Sequence, residues 1–159
     1  MRNLPVKVLT STEYRSYLVA NYSAGEAEIG GYVGGFLHTA TRTYTWQMLL
    51  KDLVQTRNGA KMELRVLERV HPRPPKLAAL HGRWLAEHRR LIVDQQKSID
   101  LIASSKPVTP DQKGKTARIG DRLDERIGAD VDAVDRTCSA MAKTLEFSEL
   151  GYDLVCGTG

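Results

Sequence analysis

The sequence predicts an all-α protein, an antiparallel four-helix bundle with long helices and short extended termini. Three observations predict it. Four segments of similar length each carry a single apolar stripe at three- and four-residue spacing. Three breaks rich in proline, glycine or β-branched polar residues separate them. A chain of 159 residues, 42% hydrophobic and 26% charged, is also long enough to fill one core. The helices are expected at about 11–38, 43–71, 75–104 and 116–147 of one domain spanning 1–159. A helix with one apolar face must bury it, and four of matched length with short connections most simply pack up-down-up-down.

The first segment places Tyr14, Leu18, Tyr22, Ile29, Val33 and Phe36 on one face, with Thr10 and Glu13 as a capping box. Its Gly-rich run, Ile29 to Phe36, lacks the G-x-G-x-x-G spacing of a dinucleotide site and the Lys-Ser/Thr of a P-loop. Gly30 with Gly34, and Gly31 with Gly35, stand four apart. On a helix they would form a smooth strip for close approach of another backbone, whereas in a loop they would have no such role. In the second segment Trp46, Leu49 or Leu50, Leu53, Ala60, Leu64, Leu67 and His71 keep helical phase through Asn58-Gly59. That dipeptide is also a turn signal, but the preserved phase favours one long helix.

The third segment starts at Pro74-Pro75, where a first turn tolerates proline, and carries Leu77, Leu80, Trp84, Leu91 or Ile92, Ile99 and Ile102. In the fourth, Ile119, Leu123, Ile127, Val131, Val134, Cys138, Met141 and Leu145 form the stripe. Arg126 with Asp130, and Asp132 with Arg136, are read as ion pairs along its outer face. At the ends, Leu4–Leu9 and Tyr152–Cys156 are β-prone, and are expected to pair with each other or with a neighbouring molecule.

Charge is unevenly spread. The chain carries +4 overall, but 57–97 has ten Lys or Arg against four acids, while 116–136 is net acidic. Arg65, Arg69 and Arg73 recur at four-residue steps, and Arg83 and Arg90 stand seven apart. Together they suggest a basic ridge on the second and third helices. Aromatic residues are not interleaved with them as single-strand binding would want.

Chemistry-bearing patterns are sparse. Glu68 and His71 form a single E-x-x-H, where a di-metal bundle needs two copies on facing helices. His81 and His88 are seven apart, too distant along a helix to bind one ion, and fit polar core positions that hydrogen-bond across the bundle. Pairing one of them with His38 or His71 around a haem is a weaker reading. Cys138 reads as a small buried hydrophobe, and Cys156 as a tail cysteine, exposed or paired in an oxidising setting.

The expectation is therefore a non-enzymatic structural or protein–protein interaction module, self-assembling or docked in a larger complex, with no cofactor and no metal. The alternatives are a nucleic-acid-binding protein using the basic ridge, or a metal- or haem-binding bundle. The candidate interaction residues are Gly30, Gly31, Gly34, Gly35, Arg65, Arg69, Arg73, Arg83 and Arg90. No apolar run is long enough for a membrane span, and a cytoplasmic location is expected if the chain is complete.

Overall fold

A computed structural model describes residues 5–22, 46–104 and 110–157. Among them the protein is all-α, with five helices and one small two-stranded sheet. In chain order these are β1 (Lys7–Leu9), α1 (Ser11–Asn21), α2 (Trp46–Leu67), β2 (Val70–Pro72), α3 (Pro75–Ser104), α4 (Pro110–Thr144) and α5 (Glu149–Cys156).

The Thr10/Glu13 capping box opens α1: the Thr10 side chain accepts from the Glu13 amide, and Glu13 accepts from the Thr10 amide at 2.8 Å. The helix ends at Asn21, because Tyr22 is extended (φ −105°, ψ 124°). A single first helix over 11–38 is thus interrupted at Tyr22. The glycines at 30, 31, 34 and 35, and His38, lie outside the described residues. α2 runs unbroken through Asn58 and Gly59 but stops at Leu67, short of the expected 71. The cause is Pro72, whose ring would clash with the carbonyl four residues back and which biases His71 to extended backbone. Val70–Pro72 leaves the helix and becomes a strand.

That strand pairs in parallel with β1, in the register Lys7↔Val70, Val8↔His71, Leu9↔Pro72. The β-prone N-terminal segment therefore pairs inside the molecule, and not with Tyr152–Cys156. The latter is helical: Ser148 caps α5 by accepting from the Gly151 amide.

The long helices are ordered by their cross-links. Glu68 with Arg89, Glu63 with His88, and Arg57 with Gln96 run in opposite chain order, so α2 and α3 are antiparallel. Asp94 with Arg126, and Asp130 with Arg90, make α3 and α4 antiparallel likewise. α3 is the central helix on which both pack. Its buried stripe of Leu77, His81, Trp84, His88, Leu91, Gln95 and Ile99 meets Ala60 and Leu67 of α2, and Val134, Cys138 and Met141 of α4.

Two further findings correct the sequence reading. Arg126 does not pair with Asp130 along α4; it reaches Asp94 on α3, and Asp130 takes Arg90. Asp94 and Asp130 are both buried, and a buried carboxylate needs a cation where it lies, whichever helix supplies it. Cys138 and Cys156 are joined in a disulfide, so Cys138 is not a free buried thiol. Between them the chain reverses at Glu146, which adopts φ 53°. The Phe147 amide donates to Ala142 O and the Glu146 amide to Lys143 O, closing the α4 terminus in the pattern usually built on glycine. α5 then folds back, and Gly151 leaves room for the Phe147 ring, since a Cβ there would stand 2.9 Å from Phe147 Cδ1. The Arg15 guanidinium lies over the other aspect of this corner, 5.4 Å from the Phe147 ring centroid.

Candidate functional site

Two regions concentrate polar chemistry: the buried histidine spine of α3, and the small sheet beside its first turns.

His81, His88 and Gln95 recur every seven residues on α3, and all three are buried. Because α1 runs parallel to α3, Tyr14 and Tyr22 reach successive histidines. Tyr14 Oη lies 2.9 Å from His81 Nδ1, and Tyr22 Oη 3.1 Å from His88 Nε2. The His81 ring also donates to the carbonyl of Val70, which leaves Nδ1 to accept the Tyr14 hydroxyl. Burial foremost, then the nearby His71, lowers the His81 pKa to about 4, partly offset by the Val70 carbonyl. The ring is held neutral. Burial likewise raises the Tyr14 phenol, so at neutral pH both partners are uncharged.

His88 is placed differently. Its Nδ1 lies 2.9 Å from the Trp84 carbonyl, an acceptor only, so Nδ1 carries a proton. Its Nε2 faces Glu63 Oε2 at 3.3 Å. The same Nε2 is also within reach of the Tyr22 hydroxyl, so tyrosine, histidine and glutamate meet at one point. Neither partner is free to face solvent, since His88 is fully buried and Glu63 nearly so. Every nitrogen of the two spine histidines is thus engaged by the protein itself. Their role is to brace α1 and α2 against α3.

His71 is exposed on β2, with its ring centroid 6.2 Å from that of His81. It borders an open groove of about 440 Å³ between the start of the sheet and α3. Ala78 and Gly82 floor the groove, and the Glu68–Arg89 ion pair (2.8 Å) stands at its edge. The E-x-x-H residues do not share a helix turn: Glu68 lies in the turn after α2, and His71 on the strand. Among the described residues no three His, Cys, Asp or Glu side chains converge as metal ligands.

The sheet is the second region. In a parallel ladder alternate residues of a strand face each neighbour. The Lys7 amide donates to Arg69 O, and Leu9 O accepts from the Arg73 amide. Val8 therefore turns its N–H and C=O away from β2, and no described strand lies on that side. Val6 and Val8 are more than half exposed.

The predicted basic residues do not form one helical ridge. Arg65 is exposed on α2, Arg69 in the following turn, and Arg73 beyond β2. Arg83 is exposed on α3, and Arg90 is bonded to Asp130. The structure gathers Arg69 and Arg73 with Lys7 around the two strands. What sequence reasoning missed is Tyr14, Tyr22 and Glu63 as partners of the histidines. The signal was faint: the spacing of the two tyrosines, eight apart, nearly matches the seven of the histidines.

Compared with protein-family models, curated proteins and solved structures, the chain matches none. Among the described residues no helix is long and apolar enough to cross a membrane.

Proposed function

We propose that this protein is a non-enzymatic interaction module that presents a docking surface to another protein on an internally braced helical body. The observation that carries this reading is β1, a strand fixed by pairing to β2 whose other edge no described strand covers, with an exposed valine on it, Val8, and another, Val6, just before it. Exposed apolar side chains on anchored elements favour association. Leu150 and Leu154 add to this: they are 70% and 49% exposed on α5, which the Cys138–Cys156 disulfide ties to α4.

The proposal includes the fuller architecture, an antiparallel four-helix bundle. It is supported by α1 running parallel to α3 and both α2 and α4 running against α3. The disulfide supports an oxidising setting for the folded chain rather than the cytoplasmic one expected from sequence.

Size-exclusion chromatography with light scattering, together with recovery of bound protein from the native source, tests this reading. It predicts self-association or a stoichiometric protein partner. A monomer at high concentration that recovers no partner would contradict it.

A further inference from the structure

Three cations surround the sheet, and among the described residues no carboxylate stands within ion-pair distance of them. Lys7 sits on β1, Arg69 immediately precedes β2, and Arg73 immediately follows it; all three are exposed. None appears among the described ion pairs. Among the described residues, the two acids close by are already engaged. Glu13 accepts from both the amide and the hydroxyl of Thr10, and Arg73 acts on it only through space. Glu68 is bound by Arg89.

The two edges of this sheet differ. On β2, the outward carbonyl of Val70 is taken by His81, and Pro72 has no N–H to offer. That edge has fewer groups left to offer a further strand. On β1, Val8 keeps both an outward N–H and an outward C=O, flanked by an exposed valine at position 6 and a lysine at 7.

We propose that an extended, acidic segment of a partner protein adds as a further strand along β1. It would pair through the Val8 N–H and C=O, with carboxylates on its two faces answered by Lys7 on one and by Arg69 and Arg73 on the other. This rests on the interaction-module reading and names the partner's chemistry. Strand addition draws affinity from main-chain hydrogen bonds and specificity from side chains; here the specificity is charge. A second copy of this chain fits less well, since edge-to-edge pairing of two β1 strands would set the same cations against each other. A nucleic acid would satisfy the cations but leave the Val8 amide and carbonyl without ladder partners.

The test titrates the full-length protein with a blocked peptide of about eight residues, valines and glutamates in successive pairs so that both faces carry carboxylates, followed by amide shifts and exchange at Lys7–Leu9. Three comparison ligands are used: the same peptide with lysine for glutamate, the acidic peptide N-methylated at alternate residues, and a single-stranded oligonucleotide. The acidic peptide is expected to slow exchange of the Val8 amide about tenfold or more. The N-methylated and lysine peptides should not. Lys7→Glu with Arg73→Glu should weaken binding about tenfold. Val8→Pro should abolish it while leaving the β1–β2 ladder, because the Val8 amide makes no bond to β2.

Equal binding by the N-methylated peptide would overturn the proposal. So would oligonucleotide binding at these residues without Val8 protection, or self-association that Val8→Pro removes. If the peptide fails while the protein still holds a native partner or assembles, this inference falls and the broader reading stands.

Discussion

Tyr14 Oη and His81 Nδ1 lie 2.9 Å apart although 67 residues separate them in the chain. Both are buried, so the bond forms where neither group can turn to water. Replacing Tyr14 by Phe keeps the ring and leaves His81 Nδ1 without its donor. An unsatisfied buried polar atom costs about 1–3 kcal/mol. Chemical denaturation should show a loss in that range. Tyr17→Phe, which removes a bond to the carbonyl of half-buried Val66 (2.8 Å), should cost about 1 kcal/mol or less.

The neutral His81 makes stability depend on pH. Its folded pKa of about 4 lies below the value for an exposed imidazole. Between about pH 6.5 and about 4 the unfolded chain takes up a proton that the folded one refuses. Stability is fully present above that window and falls through it, by roughly 3 kcal/mol in all. Asp94 behaves separately. Burial alone would raise its carboxyl, but Lys97 and Arg126 outweigh that and hold it low. Its contribution fades only below about pH 4. An NMR titration should find the His81 ring neutral down to about pH 4.

The disulfide closes a loop spanning 18 residues around the reversal at Glu146. A cross-link of that span stabilises by about 3 kcal/mol, chiefly by restricting the unfolded chain. The double variant Cys138→Ser, Cys156→Ser should lose about that much. Reductant should lower the melting temperature of the unmodified protein similarly and leave the variant unchanged.

Glu146 occupies a left-handed conformation at the end of α4. Glycine adopts that conformation without the clash a side chain suffers. Glu146→Gly is expected to stabilise the fold by roughly 0.5–1 kcal/mol, read as a raised melting temperature. Gly151→Ala should do the opposite, since its methyl group would meet the Phe147 ring at 2.9 Å.

The helices were legible wherever apolar spacing recurs over many turns, as from Leu77 to Ile99 and from Leu123 to Leu145. The seven-residue step from His81 to His88 also marked them as polar core positions. Their partners were hidden, because a tyrosine on an apolar stripe reads as bulk, and nothing local says that its hydroxyl meets a histidine on another helix. β2 was hidden for a different reason. Val70 and His71 stay in phase with α2, and only the steric demand of Pro72 removes them from it. The disulfide could not be read because Cys138 belongs to a regular apolar stripe. Bringing Cys156 to it requires a reversal at Glu146, a residue type that rarely makes one. Asp94 and Asp130 took partners across the helix interface, whereas sequence spacing favours partners along one helix. Burial decided between them, and burial is a tertiary fact.

Amide hydrogen exchange in the free protein bears most directly on the claim that β1 has an open edge. The amides of Lys7 and Leu9 donate into β2 and should be protected, while the Val8 amide between them should exchange at close to the rate of an unstructured peptide. Protection of Val8 equal to that of its two neighbours would mean the edge is already filled, and no partner could dock there.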